Sequence, residues 1–564
     1  MTAMLKAVES EPHERTDPNL ISVEEAEKKS AAAILVDLAM ERYDFASTPE
    51  GEAFAIPRPG GHVVRMLRGG RASLRAELSS TYRKKTGRIA PQQALADAML
   101  VLEGEAQESD PQEVHLRVAE SKGVIWIDLG TVAEEAIRID ATGWAIVGRD
   151  VPVLFRRTAL TGPMPTPERG GSLDDLWSVL NVAAVDRPLV LAWLVAALGA
   201  PAIPHPVMAL FGEQGTGKSS ASKALVTLAD PSPVPLRKPP RDADGWVTAA
   251  SGSWVVGLDN LSTVPDWLSD TLCRAVTGDG DVRRQLYTDS GLSVFSFRRA
   301  ILLNGIDLAG MRGDLAERLV TVSLATIPEH QRISERELSE RWERVYPRLV
   351  GVLLDQVAGM AGQLSYVRLD SAPRMADFAH ILAALDKLNA TDGLSRYMSQ
   401  AATLAGDSLA SDPFIVALMS SVNEFEGSAA ELLDTVLSDM QDGWRPPRDW
   451  PKNARAITGI LKRNAPALRK SGWVAEDLGS ANKEKVTIWK LARPEIARND
   501  TPPYPPNPPK PQYGGEAGNA WNKNGQPQDE SDLFVGWDDP GYCEHGTTIG
   551  SRCSSCGGTA REGS

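Results

Sequence analysis

The sequence GEQGTGKS at residues 212–219 matches in full the pattern G-x-x-x-x-G-K-[ST] of nucleotide-binding P-loops. An apolar, strand-like run precedes it and a helix-forming run follows it, which is the context that this motif requires. We expect the glycines to let backbone N–H groups surround phosphate oxygens, with the dipole of the following helix favouring their negative charge. Lys218 would reach the β- and γ-phosphates, and the Ser219 hydroxyl would ligate Mg²⁺. The predicted ATP-binding residues are Gly212, Glu213, Gln214, Gly215, Thr216, Gly217, Lys218, Ser219 and Ser220.

Two later apolar runs end in polar residues that suit the same site. SWVVGLD ends in Asp259, the expected magnesium partner. RRAILLNGID contains Asn304, which either holds the attacking water against the γ-phosphate or is an ordinary turn residue at a strand end. The three segments lie about 40 to 45 residues apart, as parallel strands joined by crossovers require. The sequence therefore predicts an α/β fold with a P-loop ATPase core built on a parallel sheet.

Two arginines, Arg312 and Arg318, follow the Asn304 strand within the run MRGDLAERLV. An arginine at this point suits a finger that reaches the γ-phosphate of a neighbouring subunit. The alternative is a salt bridge with Glu317 or Asp314.

The segment between Asp259 and Asn304 contains CRAVTGDGDVRRQLYTDSGLSVFSFRRAILLNG, in which a Gly-Asp turn precedes two arginines and a tyrosine. Over residues 172–330 this order resembles the motif region of superfamily III helicases, particularly the ATPase part of phage and plasmid primase–helicases. The resemblance implies a ring-forming, AAA+-like ATPase that moves on single-stranded DNA. It assigns the catalytic motif positions to Lys218, Ser219, Asp259, Asn304 and Arg318.

The resemblance also implies that Arg283 and Arg284 lie on a hairpin that lines the DNA pore. In a homo-hexamer, copies of this pair would surround a polyanionic strand with positive charge, although the chain has a net charge of −14. The primase half of such proteins is not evident, because the N-terminal region contains no metal-binding set of carboxylates. A separate primase or polymerase is then an expected partner.

Asn260 departs from the family pattern, which usually has a second acidic residue after the first. The chain is therefore either a motor whose water is oriented by another group or a nucleotide-gated switch. Residues that could orient the water are Asn260 itself, Asn304, Asp266 and Glu213. Because the other motif residues are all present, and because positioning and charge stabilisation can carry this chemistry, we favour a slow motor.

Composition limits the class of protein. The 564 residues are too many for one core, and 42% of them are hydrophobic, which indicates several globular domains. The acidic net charge restricts nucleic-acid contacts to local basic surfaces. No apolar run reaches the roughly 18 residues of a membrane-spanning helix, and the N-terminus lacks the apolar core of a signal peptide, so we expect a cytoplasmic protein.

Changes in pattern divide the chain into segments. The ATPase is expected at 200–345, preceded by a helical collar at 170–199 and followed by a helical region at 346–428. The remaining predictions are a disordered acidic tail at 1–30, a mixed α+β domain at 31–165, a winged helix at 430–494, a Pro/Gly-rich disordered linker at 495–540 and a zinc knuckle at 541–558.

The two C-terminal modules are predicted from charge and spacing. Residues 450–494 read as helix, turn, short helix and a two-stranded wing, and basic residues outnumber acidic ones there. Lys483 and Lys485 at the wing tip are the expected DNA contacts, and a protein-docking winged helix is the alternative. The tail has the spacing C-x-H-x₇-C-x₂-C, which suits tetrahedral zinc or, alternatively, leaves free thiols in a disordered tail. Its predicted ligands are Cys543, His545, Cys553 and Cys556.

Three functions are compatible with these features. The first is an ATP-driven, helicase-like replication protein of a phage or mobile element that acts on single-stranded, origin or fork DNA. The second is an ATP-gated initiator or loader that binds DNA but does not move on it. The third is a structural ATPase without a DNA role.

Overall fold

Among the described residues, the N-terminal part of the computed structural model combines three helices with two sheets. The structure describes residues 29–68, 73–278, 280–284, 292–296, 298–305, 313–440, 443–447, 450–480 and 486–494, with no side-chain description for 279–297. The helices are α1 (Ala31–Arg42), α2 (Leu74–Thr86) and α3 (Gln92–Glu108). The strands are β1 (Tyr43–Ser47), β2 (Ala53–Pro57), β3 (Val63–Met66), β4 (Val114–His115), β5 (Val118–Ser121), β6 (Val124–Asp128), β7 (Ala136–Asp140), β8 (Gly143–Val147) and β9 (Leu154–Arg156).

The first of these sheets has the strand order β1-β2-β3-β9-β4, and the second is the antiparallel meander β5-β6-β7-β8.

The next part of the chain contains the P-loop. Its helices are α4 (Leu173–Val179), α5 (Arg187–Gly199), α6 (Lys218–Ala229), α7 (Ala243–Ser251), α8 (Asp266–Thr277) and α9 (Gly313–Ala316). Its strands are β10 (Val207–Phe211), β11 (Leu236–Arg237), β12 (Val255–Leu261), β13 (Gly280–Arg284), β14 (Leu292–Ser296), β15 (Ala300–Gly305) and β16 (Leu319–Ser323).

The P-loop sheet is parallel and has the order β11-β12-β15-β10-β16. The predicted parallel-sheet core is thus confirmed, and β15 with Asn304 lies between the P-loop strand and the Asp259 strand. All residues of β15 are buried, as expected for a strand with both faces covered. Since the carboxyl ends of parallel strands share one edge, the polar residues that end β12 and β15 lie beside the loop that follows β10.

Helix α5 lies within the range 170–199, which was predicted to be a helical collar. Every residue from Leu189 to Gly199 is buried, and the helix packs in the main hydrophobic core together with the sheet and four later helices. A helix that is apolar on all sides is stable in water only when it is surrounded by protein.

The C-terminal part contains six helices and one small sheet among the described residues. The helices are α10 (Glu335–Gln363), α11 (Ala376–Asn389), α12 (Gly393–Ser411), α13 (Pro413–Ser421), α14 (Ala429–Ser438) and α15 (Ala454–Lys470). The strands β17 (Glu424–Ser428), β18 (Val474–Asp477) and β19 (Ile488–Ala492) form an antiparallel sheet in the order β17-β19-β18. Within the described residues, each helix is too short or too polar to cross a lipid bilayer.

Three expectations for this part need correction. Helix α10 runs across the boundary placed at residue 345. Strand β17 lies at the end of a range that was expected to be helical, because it pairs with β19. One continuous helix, α15, replaces the predicted helix, turn and short helix, because buried side chains such as Ile457, Leu461 and Leu468 recur along one face despite Pro466.

A buried ion pair joins the N-terminal part to the P-loop part. Arg117 Nε lies 2.8 Å from Asp230 Oδ1, and both residues are buried. The other oxygen of Asp230 accepts hydrogen bonds from the backbone N–H groups of Trp254 and Val255, where β12 begins. Arg117 also donates to the carbonyl of Asp128. Asp230 thus fixes the end of α6, the start of β12 and the N-terminal meander relative to each other.

We expect Arg117→Met to destabilise the chain by about 3–5 kcal/mol, because it leaves the Asp230 carboxylate buried without its partner. The matched control is Arg156→Met, whose ion pair with Glu52 is 35% and 51% exposed and is expected to contribute less than about 1 kcal/mol. Denaturant unfolding followed by tryptophan fluorescence measures both. Equal losses from the two substitutions would contradict the role assigned to the buried pair.

Candidate nucleotide site

The loop between β10 and α6 (residues 212–217, here the nucleotide loop) has a backbone that depends on glycine at two points. Gly217 has φ 79° and caps the N-terminus of α6 in the left-handed conformation. A Cβ atom at Gly212 would lie 2.6 Å from Thr216 Oγ1, which itself donates to the Glu213 carbonyl. Both positions therefore exclude larger side chains, and the sequence directs the loop into the helix N-terminus, where backbone N–H groups favour an anion.

Lys218 is held against this loop. Its Nζ atom donates to the carbonyl oxygens of Gly212 at 2.6 Å and Glu213 at 2.7 Å. An ammonium group has three donors, and phosphate oxygens accept hydrogen bonds more strongly than carbonyls do. Lys218 is therefore close enough to exchange a carbonyl for a phosphate oxygen of a nucleotide in the loop.

Asp259 connects the loop to the two neighbouring strands. Its Oδ1 atom accepts a hydrogen bond from Ser219 Oγ at 3.0 Å and another from Asn304 Nδ2 at 2.8 Å. The same Nδ2 also donates to Ser222 Oγ on α6, at 2.9 Å. The structure thus brings together three of the predicted catalytic positions and the predicted magnesium ligand Ser219.

Asn260 follows Asp259 at an irregular point of β12. The register of β12 with β15 shifts between Leu258 and Leu261, and Asn260 has φ 58°, in the left-handed region. Its N–H donates to Asn304 Oδ1 at 2.7 Å, and the residue is exposed. Asparagine is among the residues that tolerate this conformation best, so the backbone offers a reason for its presence here.

Asn304 is only 2% exposed, and its amide is engaged at both ends. Both Nδ2 hydrogens have partners, and Oδ1 accepts the N–H of Asn260. The amide therefore fixes the orientation of Asp259 and of the bulge. Glu213 is exposed in the nucleotide loop and Asp266 begins α8, and nothing in their geometry assigns an attacking water to either.

The oxygens of Ser219 and Asp259 fit magnesium chemically. Mg²⁺ prefers hard oxygen donors and in nucleotide sites takes only one or two from the protein, with phosphate and water completing the shell. The described residues contain no group of three or more His, Cys, Asp or Glu side chains that could hold a metal ion.

Several predicted site residues lie outside the described residues. These are Lys483 and Lys485, and the zinc ligands Cys543, His545, Cys553 and Cys556. The backbone around the predicted pore arginines is described: β13 and β14 form an antiparallel hairpin in which Arg283 is opposite Ser293 and Arg284 is opposite Leu292.

Arg318 has partners within its own chain. It is 7% exposed, and its Nη1 atom lies 2.5 Å from Asp314 Oδ1 and 2.7 Å from the Asp314 carbonyl oxygen. The salt-bridge alternative is therefore what the structure contains. A finger that acts on a neighbouring subunit must be exposed, and Arg318 in this chain does not meet that condition.

The Arg318 pair belongs to a longer series of ion pairs. Arg374 contacts Asp314 at 3.2 Å and Glu317 at 3.4 Å, and Glu317 also contacts Lys470 at 2.7 Å. Lys470 is the last residue of α15. Ion pairs thus connect the C-terminal sheet region to the segment that follows β15.

Two residues near the nucleotide loop were not identified from the sequence. Asn181 Nδ2 lies 3.5 Å from the Thr216 carbonyl oxygen and donates to the carbonyl of Ala325. An Nη atom of Arg332 lies 3.5 Å from the position that a Cβ atom would occupy on Gly215. Both are isolated residues far from the loop in sequence, and no spacing pattern signals them.

Two family models match the chain. The model described as "Actinomycete integrative conjugative element replication protein" matches residues 173–407, and the "AICE RepA C-terminal domain" matches residues 413–503. Together these ranges cover more than half of the chain. No curated protein matches.

Solved structures give weaker likenesses. "SCCmec type IV Cch - active helicase" is 13% identical, covers 79% of this chain and 92% of its own, and has a TM-score of 0.40. Two apo structures of the NrS-1 C-terminal region are each 12% identical and cover 82% of this chain. They match over 100% and 99% of their own length, with TM-scores of 0.34 and 0.33. These scores are too low to establish a shared fold.

We expect Asn260→Gly to leave the free energy of unfolding within about 1 kcal/mol of the parent, because glycine adopts positive φ freely. Asn260→Val should cost about 1–3 kcal/mol, because a β-branched residue is strained there. Denaturant unfolding of the two variants provides the measurement. A valine variant as stable as the glycine variant would show that the bulge does not depend on the residue at this position.

Proposed function

We propose that this chain is an ATP-hydrolysing, helicase-like motor that acts on the DNA of an integrative conjugative element. The proposal starts from its family, because the chain belongs to the replication proteins of actinomycete integrative conjugative elements. The observation that carries the proposal is the meeting of Lys218, Ser219, Asp259 and Asn304 at one edge of the parallel sheet. A P-loop alone indicates nucleotide binding, whereas this set also provides magnesium ligands and a fixed carboxylate, as hydrolysis requires.

Each residue of the site would have a distinct role in ATP hydrolysis. The N–H groups of the nucleotide loop and Lys218 would bind the phosphates of ATP. Ser219 and Asp259 would hold Mg²⁺, which neutralises phosphate charge when bound. Asn304 keeps Asp259 and the Asn260 bulge in place, so little rearrangement is needed during the reaction.

The proposal includes movement of the protein along DNA. The β13–β14 hairpin carries Arg283 and Arg284, and a ring of six chains would place these arginines around a single strand. This arrangement rests on the resemblance to superfamily III helicases. A primase or polymerase would then be supplied by another protein.

We further propose that residues 413–494 form a winged helix that binds duplex or fork DNA. The order α13-β17-α14-α15-β18-β19 is that of a winged helix, with β18 and β19 as the wing and α15 as the helix for the groove. Arg455, Gly459 and Arg463 recur at four-residue spacing on the exposed face of α15. A Cβ atom at Gly459 would meet nothing within 4 Å, so this face can approach DNA closely.

Two observations favour the second candidate, an ATP-gated initiator or loader. Asn260 stands where a second carboxylate is expected, and the arginine assigned to a neighbouring site is buried. Slow or absent hydrolysis together with ATP-dependent DNA binding would indicate that function. A fork-unwinding assay beside the ATPase rate, with and without single-stranded DNA, separates it from the motor.

We expect Lys218→Ala to abolish ATP hydrolysis without unfolding the protein, because it removes a phosphate contact from a partly exposed position. Lys223→Ala is the control, since Lys223 is an exposed lysine of the same helix that does not face the loop carbonyls. Phosphate release measures both variants, and circular dichroism checks their fold. Parental turnover in a folded Lys218→Ala protein would end the assignment of the nucleotide site.

The winged-helix proposal predicts that Arg455→Ala with Arg463→Ala weakens binding to duplex DNA. The plot of log affinity against log salt should become shallower by about 1–2, because two cations no longer displace counterions. The charge-matched control is Arg336→Ala with Arg341→Ala, whose guanidinium groups pair with Glu340 and Glu337 on their own helix. Fluorescence anisotropy over a salt series gives both slopes. An unchanged slope in the α15 variant would exclude this face as the DNA contact.

A further inference from the structure

The segment from β16 to α10 (residues 324–334, here the crossing segment) passes over the nucleotide loop. It is attached at its start: the Leu324 N–H donates to the Phe211 carbonyl at 2.8 Å, and the Ala325 N–H donates to the Asn181 carbonyl at 3.2 Å. Ile327 Cδ1 then lies 3.7 Å from the Cβ position of Gly217. The crossing segment is therefore in contact range of the loop, rather than a distant connection.

A short 3-10 turn, Glu329–Gln331, directs the chain back toward the loop. The Arg332 N–H donates to the Glu329 carbonyl at 3.2 Å and ends this turn. The Arg332 guanidinium then lies over Gly215, with Nη2 3.5 Å and Cζ 4.0 Å from the Cβ position of that glycine. A larger side chain at residue 215 would meet this guanidinium.

Arg332 is an exposed residue, and within the described part of the chain its guanidinium has no carboxylate partner. This contrasts with the nearby arginines: Arg318 is buried against Asp314, Arg336 lies near Glu340, and Arg341 pairs with Glu337. A cation at a P-loop without a protein anion is complementary to the anion that the loop binds.

We infer that Arg332 contacts a phosphate oxygen of ATP bound in the same chain and stabilises the charge that develops as the γ-phosphoryl group is transferred. The inference rests on the proposed ATPase function and adds to it a residue that none of the motif assignments includes. It also assigns the arginine contribution to the chain's own site, in place of an arginine from a neighbouring subunit.

The chemistry is hydrolysis. A water oxygen forms the new bond to the γ-phosphorus, and the bond from that phosphorus to the bridging oxygen breaks with its electron pair going to ADP. The proton of the water is released to solvent. Negative charge therefore grows on the oxygens beside the nucleotide loop, where the five N–H donors of a guanidinium are most effective. Arginine supplied in this way accelerates phosphoryl transfer by about 10³–10⁵ in other nucleotide hydrolases, whether it acts in cis or in trans.

The first test compares Arg332→Ala with Arg336→Ala, which removes a guanidinium that is 88% exposed and lies on the first turn of α10. We expect Arg332→Ala to lower kcat at least tenfold and to weaken binding of a fluorescent ATP analogue more than binding of its ADP counterpart. Arg336→Ala should change neither quantity. Arg332→Lys should be intermediate, because lysine retains the charge without the paired donors.

Mixing variants distinguishes action in cis from action in trans. If Arg332 serves its own chain, Arg332→Ala and Lys218→Ala disable the same site, and mixing the two proteins restores no turnover. Recovery in the mixture would show that Arg332 acts on a neighbour and would overturn the inference.

Parental kcat and an unchanged preference for ATP over ADP in Arg332→Ala would also overturn the inference, while leaving the proposed function intact. A parent chain that neither binds nor hydrolyses ATP would instead refute the proposed function. If the parent binds ATP but hydrolyses it too slowly to measure, the relative affinities for ATP and ADP still decide the role of Arg332.

Discussion

The hydrogen bonds to Asp259 are the constraint on which the candidate site depends. One carboxylate oxygen accepts from Ser219 on α6 and from Asn304 on β15, so it fixes the nucleotide loop, the acidic strand and the central strand relative to one another. The Asn304 amide continues the network to Ser222 and to the backbone of Asn260. The Ser219–Asp259 bond is exposed, but Asn304 is buried, so losing one of its hydrogen bonds leaves a polar group unsatisfied.

The same network explains which parts of the site the sequence could predict. The P-loop and its two companion strands were predictable, because glycine spacing and buried apolar runs are local signals that parallel sheets require. The left-handed backbone conformation of Asn260 was not predictable. It arises from a register shift against β15, which is a property of strand pairing rather than of the residues around it.

Outside the site, local signals failed where tertiary contacts decide the structure. Strand β17 forms because β19 is available to pair with it, and α15 continues past Gly459 because its apolar face is covered. Arg332 has no motif at all, and only the turn at Glu329–Gln331 places it over the nucleotide loop. Arg318, which precedes β16, is buried and paired, whereas Arg332, which follows β16, is exposed beside the nucleotide loop. The spacing of the two arginines in the sequence does not reveal this difference.

The ion pairs around Arg318 connect α15 to the segment that precedes β16. Asp314 is shared by Arg318 and Arg374, and Glu317 is shared by Arg374 and Lys470 at the end of α15. A displacement of α15 on binding DNA would change the partners of Glu317, next to Arg318. Arg374 and Lys470 are half-exposed in these pairs, whereas the side chains of Arg318 and Glu317 are mostly buried.

The proposed nucleotide site can be checked by solving a structure of this chain with a non-hydrolysable ATP analogue and Mg²⁺. Such a site predicts the phosphates within residues 212–217, the Lys218 ammonium moved from the Gly212 and Glu213 carbonyls onto a phosphate oxygen, and the metal ion beside Ser219 Oγ and Asp259. It also predicts that Asn304 keeps its bonds to Asp259 and Asn260. A nucleotide bound elsewhere, with Lys218 still on the two carbonyls, would contradict it.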